Sequence, residues 1–237
     1  MADDPEPRRR MVRPPAGGTS SGRGVGHVRV RTAADRTLSS QQWLQRQLND
    51  PYVQQAKAEG WRSRAAFKLL ELDERFHLLR RGVRVVDLGC APGGWVQVAQ
   101  KAGAAAVAGV DLLPVDPIPG AHLIEGDFTD PATPDRLLAA LGAAPDLVLS
   151  DMAPNTSGHR ETDHLRIVAL IEAAAAFAGA HLRPGGSFAT KSFQGGAEGE
   201  LLRRLKADYA QVRHFKPKAS RAESSEVYLV ATGLKAR

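Results

Sequence analysis

The chain has 237 residues, of which 43% are hydrophobic, and its formal net charge is +6. This length suits one large α/β domain with a tail, and the apolar content is sufficient for a core. No apolar run reaches the roughly 18 residues of a membrane helix, the N-terminus has no apolar stretch typical of a secretory signal, and Cys90 is the only cysteine. We therefore expect a cytoplasmic protein with no membrane association, no internal disulfide and no cysteine-based zinc site.

Residues 1–38 are rich in Pro, Gly, Ser and Arg and have few apolar anchors, so they are predicted to form a disordered tail. Residues 1–37 carry eight arginines against four acidic residues, which contributes +4 to the net charge of +6. A basic tail favours polyanions, and nucleic acid is the expected partner. An arm that is only solubilising is the alternative. The remainder, residues 39–237, is predicted to be a single domain.

Short helical stretches are predicted over 39–48 and 52–59, and a longer helix follows over 63–76. Lys68 lies on this longer helix, one turn before the apolar residue Leu72. From the helix pattern alone, Lys68 is interpreted as a surface lysine whose aliphatic stem runs beside the buried stripe.

The segment 83–94 contains the most informative local pattern of the chain. An apolar strand over 83–88 ends in the turn Gly89-Cys-Ala-Pro-Gly-Gly94, and a helix over 94–102 follows at once. Strand, tight glycine turn and helix are typical of nucleotide-binding α/β proteins, although the spacing is not G-x-G-x-x-G. Pro92 stiffens the turn, and Gly93 lets backbone approach a ligand closely. Such a turn suits an amino-acid or sulfonium end of a ligand at least as well as a pyrophosphate, whereas an ordinary βα turn is the alternative.

Strands and helices alternate through the rest of the chain. Strands are predicted at 105–110, 122–125, 146–150, 187–193, 212–216 and 226–232, and helices at 133–141, 162–181 and 200–209. The alternation predicts a mostly parallel sheet that is covered on both faces. The last two strands are joined without a helix, so they should pair antiparallel. Six parallel strands with one reversed strand is the pattern of class I methyltransferases, which have a seven-stranded Rossmann-like α/β fold.

Four carboxylates follow the first four predicted strands: Asp87, Asp111, Asp127 and Asp151. Because ligands of open α/β sheets bind at the carboxyl ends of the strands, these side chains should converge on one edge. Asp111 lies about 20 residues beyond the glycine turn, the spacing at which an acid reaches a ribose diol. Asp127 fits an adenine amino group. Trp95 is a candidate to pack on the ligand, and a core position is the alternative.

Seven segments, taken in order, match the pattern of one known family. They are Trp61-Arg-Ser-Arg-Ala-Ala-Phe-Lys68, Val85-Val-Asp-Leu-Gly-Cys-Ala-Pro-Gly-Gly-Trp95, Asp111-Leu-Leu-Pro114, Gly126-Asp-Phe128, Ser150-Asp-Met-Ala-Pro-Asn155, Pro184-Gly-Gly-Ser-Phe188 with Lys191, and Glu226-Val-Tyr228. From about Ser39 to Thr232 the chain resembles the RrmJ/FtsJ family of ribose 2′-O-methyltransferases. Within that family it is most similar to the bacterial enzymes that act on large-subunit ribosomal RNA.

The resemblance implies S-adenosylmethionine as methyl donor and a uridine ribose 2′-hydroxyl of large-subunit (23S) ribosomal RNA as acceptor. It implies a catalytic tetrad of Lys68, Asp151, Lys191 and Glu226. It also implies cofactor contacts at Gly93, Trp95, Asp111, Asp127 and Asp151. We expect a monomer whose partner is ribosomal RNA or the large ribosomal subunit.

The tetrad has a plausible chemistry of its own. A ribose hydroxyl is a poor nucleophile at neutral pH, and a lysine can act as its base only if burial or a second cation lowers the pKa of the lysine. Lys68 near Lys191 would supply that cation, while Asp151 and Glu226 act in the opposite direction. We favour Lys191 as the proton acceptor. The alternative is that Lys191 stays protonated and orients the oxygen while water takes the proton.

Other functions remain as alternatives. The basic residues of the body, Arg62, Arg64, Lys216, Lys218 and Arg221, fit a transfer RNA as well as a ribosomal RNA. A non-catalytic ribosome-assembly factor is disfavoured by the intact tetrad, and a dinucleotide oxidoreductase by the Pro-Gly-Gly turn. His159 and His164 are interpreted as surface histidines on a helix, so no metal is expected.

Overall fold

A computed structural model describes residues 45, 47–154, 158–193 and 199–236. The chain divides into two units, 1–49 and 50–237, and nearly all of the described residues belong to the second unit. The predicted tail over 1–38, most of the predicted helix over 39–48, and Asn155 lie outside the described residues. In the part of the chain that the structure describes, no helix is both long and apolar enough to span a membrane.

The second unit alternates helices and strands, as predicted. Its helices are α1 (Pro51–Glu59), α2 (Ala65–Phe76), α3 (Gly94–Lys101), α4 (Thr133–Leu141), α5 (Arg160–His181) and α6 (Gly199–Asp208). Its strands are β1 (Arg84–Leu88), β2 (Ala106–Asp111), β3 (Ala121–Glu125), β4 (Leu147–Ser150), β5 (Ser187–Phe193), β6 (Tyr209–Phe215) and β7 (Glu226–Leu234).

Within the described residues the strands form one seven-stranded sheet in the order β3-β2-β1-β4-β5-β7-β6. The strands β1 to β5 pair in parallel with their neighbours, whereas β7 is antiparallel to both β5 and β6. The class I methyltransferase fold is therefore confirmed, with six strands in one direction and the last one reversed. The antiparallel pairing of the last two strands is also confirmed, and the structure adds that β7 inserts between β5 and β6.

Each face of the sheet is covered by its own hydrophobic cluster, because successive strand residues point to opposite sides. Val85 packs in the cluster formed with α1, α2 and α3, and Val86 packs in the one formed with α4, α5 and α6. Leu69 and Leu72 of α2 are fully buried in the first cluster, as the predicted stripe requires. The two layers of helices hold the sheet edge that carries the strand-end carboxylates.

The predicted boundary of the sixth strand is wrong by several residues. The strand starts at Tyr209 rather than Val212, because Tyr209 pairs with Leu234 at the far end of β7. Tyr209 is also 3% exposed, so its ring belongs to the core of the sheet rather than to a helix end.

Two glycines allow the ends of β1 and its neighbours to approach closely. Gly89 has φ +80°, and a Cβ there would lie 2.9 Å from the backbone nitrogen of Met152, just beyond β4. Gly93 has φ +106°, and a Cβ there would lie 2.7 Å from Cδ1 of Ile118. Both positions combine a left-handed backbone with lack of space, so only glycine fits without movement of a neighbour.

Candidate active site

The residues of the predicted tetrad lie at one edge of the sheet. Asp151 directly follows β4, and Lys191 lies near the carboxyl end of β5. Because β7 is antiparallel, its first residues reach the same edge, and Tyr228 stands opposite Lys191 in the β5–β7 register. Lys68 comes from α2, which covers this side of the sheet. One strand end, two paired strands and one helix thus supply four ionisable side chains.

Lys191 and Asp151 form the first buried pair. The Lys191 Nζ donates to the backbone oxygen of Asp151 at 2.6 Å and lies 3.2 Å from its Oδ1. The side chains of Lys191 and Asp151 are 10% and 18% exposed. The Lys191 ammonium is therefore held between a carbonyl and a carboxylate, at a point that solvent reaches only in part.

Lys68 and Glu226 form the second pair. Lys68 Nζ lies 2.8 Å from Oε1 and 2.9 Å from Oε2 of Glu226, and the two side chains are 12% and 13% exposed. The hydroxyl of Ser220 donates to Oε1 of Glu226 at 2.7 Å. The interpretation of Lys68 as a surface lysine, based on the helix pattern alone, is thus wrong, because its ammonium is drawn inward by a carboxylate from another element.

Tyr228 connects the two pairs. Its hydroxyl donates to Oδ1 of Asp151 at 2.6 Å, and its ring centroid lies 5.8 Å from Nζ of Lys68. Burial, followed by the negative charges of Asp151 and Glu226, raises the pKa of Tyr228 well above its ordinary value, so the phenol stays a hydrogen-bond donor. The sequence patterns considered above predict no separate role for Tyr228. Its spacing of two from Glu226 on a strand, which puts both side chains on one face, was the available signal.

The carboxyl of Asp151 is kept ionised by its neighbours. Burial raises its pKa, but the positive charges of Lys191 and Lys68, and the hydrogen bond from Tyr228, outweigh that effect and lower the pKa below its ordinary value. Asp151 is therefore a permanent negative charge at neutral pH, placed between two ammonium groups.

Asp87, at the end of β1, has the opposite environment. It is 1% exposed, and neither of its carboxyl oxygens has a hydrogen-bond partner among the described residues. Burial, together with the negative charges of Asp151 and Asp111, raises its pKa well above the ordinary value. An unpaired buried acid beside the glycine turn is a polar group that a ligand could satisfy.

Asp111 is tied to the glycine turn. Its Oδ2 accepts from the backbone N–H of Ala91 at 2.9 Å, and its Oδ1 accepts from the N–H of Leu113 at 2.9 Å. The end of β3 is adjacent, because the N–H of Gly126 donates to the backbone oxygen of Asp111 at 2.8 Å. Asp127 is the residue after Gly126, and it is exposed. The hydroxyl and N–H of Thr129 donate to its carboxylate and lower its pKa.

Gly93 lies in the turn itself, and Trp95 lies at the start of α3. The Trp95 side chain is in the core, since the residue is 3% exposed and its Nε1 donates to the backbone oxygen of Ala65 at 2.7 Å. Its ring centroid is 5.7 Å from that of Tyr228, so it packs against the residue that donates to Asp151. Cofactor contacts at Gly93, Trp95, Asp111, Asp127 and Asp151 stay predictions.

Much of the predicted basic surface contacts the protein itself. Arg62 donates to three backbone carbonyls, and Lys216 donates to the carbonyls of Ala222 and Ser224. Arg64 and Arg221 both contact the carboxylate of Asp50, and Arg64 also donates to the Ala219 carbonyl. These side chains fix loops around the site, and Asp50 offsets part of the positive charge of Arg64 and Arg221.

His159 lies at the N-cap position of α5, and His164 lies within the same helix. Among the described residues, no group of three or more histidine, cysteine or acidic side chains is placed to hold a metal ion. At the edge of the sheet, the side chains of Lys68, Asp151, Lys191, Glu226 and Tyr228 form ion pairs and hydrogen bonds with one another.

Comparison with known proteins shows which family this chain is similar to. The family model for FtsJ-like methyltransferases matches residues 61–234. A protein named ribosomal RNA large subunit methyltransferase E from Caulobacter vibrioides is 60% identical over 227 residues, which cover 96% of this chain and 100% of that protein. Its namesake from Granulibacter bethesdensis is 62% identical over 208 residues, covering 88% and 90% of the two chains.

A solved structure also shares the fold. The crystal structure described as a ribosomal RNA methyltransferase from Plasmodium falciparum has a TM-score of 0.66 and 29% sequence identity, and the match covers 75% of this chain and 100% of that one. The family model spans both the glycine turn and all four tetrad residues. The chain therefore belongs to the FtsJ-like methyltransferase family.

Proposed function

We propose that this protein transfers a methyl group from S-adenosylmethionine to the 2′-hydroxyl of a uridine ribose in large-subunit (23S) ribosomal RNA. The observation that carries the proposal is the cluster of Lys68, Asp151, Lys191 and Glu226 at the ligand-binding edge of the sheet, with each lysine in contact with a carboxylate. A fixed arrangement of this kind is suited to orienting a hydroxyl group and handling its proton.

The choice of acceptor is supported by the relatives. Two proteins that are 60% and 62% identical to this chain are named as methyltransferases of large-subunit ribosomal RNA. The formal net charge of +6 fits a polyanionic substrate. A transfer RNA would satisfy the charge argument equally, but the named relatives favour ribosomal RNA.

The residues beside the glycine turn fit the proposed methyl donor. S-adenosylmethionine, when bound, supplies a methyl group that is already activated on a sulfonium. Asp87 offers a buried carboxyl with unpaired oxygens, and Asp111 and Asp127 place further carboxylates at the ends of β2 and β3. Such a set suits a ligand with cationic ends and a ribose diol. Gly93 allows the turn its left-handed backbone, with φ +106°, packed against Ile118 and Arg62.

Lys191 is proposed as the proton acceptor. The ribose oxygen would form its bond to the methyl carbon as the carbon–sulfur bond breaks, and its proton would pass to Nζ. Asp151 contacts Lys191 through both its backbone oxygen and its carboxylate. Asp151 also accepts the hydroxyl of Tyr228, so its position is fixed while Lys191 moves a proton.

Transfer from labelled S-adenosylmethionine to large ribosomal subunits from a strain that lacks the gene tests this function. Label should appear at a ribose 2′-position and be lost with Lys191→Ala, which should still bind S-adenosylmethionine. Label in transfer RNA but not in subunits would overturn the substrate. Binding of S-adenosylmethionine without any transfer would favour a non-catalytic assembly factor.

Lys191→Arg separates the two roles of Lys191. Arginine keeps the positive charge but does not deprotonate in proteins, so it can orient an oxygen but cannot act as its base. We expect activity as low as that of Lys191→Ala. An Arg variant that recovers a substantial part of the wild-type rate would show that Lys191 orients the hydroxyl while water takes the proton.

A further inference from the structure

Arg62, in the connection between α1 and α2, binds two separate loops through its guanidinium group. Its Nη1 donates to the backbone oxygen of Pro92 at 3.2 Å and of Asp116 at 2.6 Å. Its Nη2 donates to the backbone oxygen of Pro117 at 2.9 Å. All three acceptors are carbonyls, which offer no counter-charge. The contact therefore depends on the shape of the guanidinium group, whose planar set of N–H donors spans two chain segments.

The backbone of Arg62 is itself held in place by α3. Gln97 of that helix accepts the Arg62 N–H on its Oε1 at 2.7 Å, and its Nε2 donates to the Gly60 oxygen at 3.2 Å. Since α3 begins at the glycine turn, the same helix fixes both the turn and the arginine that contacts it. Arg62 is thus anchored at its main chain as well as at its guanidinium.

The two loops that Arg62 joins flank the proposed methyl-donor site. Pro92 belongs to the glycine turn, and residues 116–117 belong to the segment that follows Asp111 at the end of β2. Packing at this point is tight, since a Cβ on Gly93 would lie 3.0 Å from Nη1 of Arg62 and 2.7 Å from Ile118. A shift of either loop would change the width of the space between them.

We propose that Arg62 is a positioning residue for S-adenosylmethionine, which holds the glycine turn and the 116–117 loop at the spacing that the methyl donor requires. This role rests on the proposed function. It differs from the RNA contact that a basic residue in this segment suggests, because the guanidinium donates its hydrogen bonds to the protein. A lysine at this position would keep the charge but would lack the planar fork that reaches both loops.

Calorimetry on the full-length protein without RNA tests the proposal. The variants are Arg62→Lys and Arg62→Ala, and the matched control is Lys101→Ala, which removes a positive charge from α3 where Lys101 lies 4.6 Å from the Trp61 ring centroid. The dissociation constant for S-adenosylmethionine should rise about tenfold in both Arg62 variants and stay within about twofold of wild type in the control. Hydrogen exchange of the 112–118 amides in the free protein should quicken in the Arg62 variants only.

Steady-state kinetics separate positioning from RNA binding. In Arg62→Lys the KM for S-adenosylmethionine should rise, while kcat at saturating donor and KM for RNA stay within about twofold of wild type. Wild-type affinity for the donor in a folded Arg62→Lys protein would overturn the inference, as would a selective loss of RNA affinity. A wild-type protein that binds no S-adenosylmethionine would instead overturn the proposed function.

Discussion

The pKa values of two neighbouring acids, Asp87 and Asp151, are shifted in opposite directions for a physical reason. Asp151 is surrounded by two ammonium groups and a phenol hydroxyl, which stabilise its charge. Asp87 is buried without a partner, and the charges of Asp151 and Asp111 act against its ionisation. Folding therefore favours the neutral form of Asp87, which is close in shape and polarity to an asparagine.

This difference predicts how Asp87→Asn changes stability with pH. A carboxyl whose pKa is raised by folding contributes stability that is complete below its ordinary pKa, at about 4, and that is lost as pH rises through the folded value. The free energy of unfolding of wild type should therefore fall relative to Asp87→Asn as pH rises from 5 to 8, measured by urea unfolding. Asp135→Asn, at an exposed site on α4, is the control. Wild-type and Asp87→Asn curves that stay parallel would contradict a raised pKa.

Tyr228→Phe tests the hydrogen bond that connects the tetrad. The ring can keep its contact with Trp95, so the fold should persist, but Asp151 loses a donor that lowers its pKa. A carboxyl with a lowered pKa keeps its charge until pH falls through its pKa in the folded protein. If the pKa of Asp151 is lowered less in the variant, Asp151 will lose its charge at a higher pH. We expect kcat to fall about tenfold or more, since a hydrogen bond to a charged group contributes about 1.5–3 kcal/mol.

Urea unfolding as a function of pH gives the decisive measurement for Tyr228→Phe. The stability that the ionised Asp151 contributes should be lost at higher pH than in wild type, and affinity for S-adenosylmethionine should be unchanged. A loss at the same pH as in wild type would mean that the phenol affects the rate by packing alone.

Among the elements, α2 does more than cover the sheet. It carries Lys68 and, one turn later, Glu71, whose carboxylate accepts from the backbone N–H groups of Lys218 and Ala219. These two amides precede Ser220, which donates to Glu226. Helix α2 thus fixes the tetrad twice, once directly through Lys68 and once through the loop that supports Glu226.

Glu71→Ala should loosen that loop without disturbing the methyl-donor site. We expect kcat/KM for RNA to fall about tenfold and affinity for S-adenosylmethionine to stay unchanged, because two charge-assisted hydrogen bonds to the loop are lost. Glu71→Gln keeps one acceptor oxygen and should be intermediate, and Glu74→Ala, exposed on the next turn, is the control. Equal losses in Glu71→Ala and Glu74→Ala would point to the charge of α2 and not to the loop.

The sequence predicted those features that depend on local pattern. Alternation of strands and helices gave the parallel sheet, and the predicted carboxylates do follow the ends of β1 to β4. Contacts between distant segments were not predictable. The helix pattern indicated a surface Lys68, because nothing local shows that Glu226 will lie opposite it. Likewise, a count of arginines cannot tell that Arg62 and Arg64 bind carbonyls and a carboxylate of the protein. The family resemblance, not the pattern, supplied the tetrad.

At the scale of the whole molecule, positive charge is unevenly distributed. Residues 1–37 contribute +4 of the net +6, and several arginines of the remainder are bound to protein groups. The N-terminal segment therefore carries most of the net positive charge that could attract a polyanion.

Deletion of residues 1–37 should weaken RNA binding in a salt-dependent way and leave affinity for S-adenosylmethionine intact. Fewer cations displace fewer counterions from RNA, so the plot of log affinity against log salt should become less steep. Binding measured from low to physiological salt with full-length and shortened protein tests this. Equal slopes would show that the segment does not contact RNA.

The insertion of β7 between β5 and β6 has a consequence for synthesis of the protein. Since β6 pairs with β7 and has no pairing with β5, its hydrogen bonds and those of the β5 edge wait for the last strand to emerge from the ribosome. Glu226 and Tyr228 arrive with that strand. A nascent chain can therefore form the sheet of β1 to β5 early, but the cluster of Lys68, Asp151, Lys191 and Glu226 is complete only once β7 has been added.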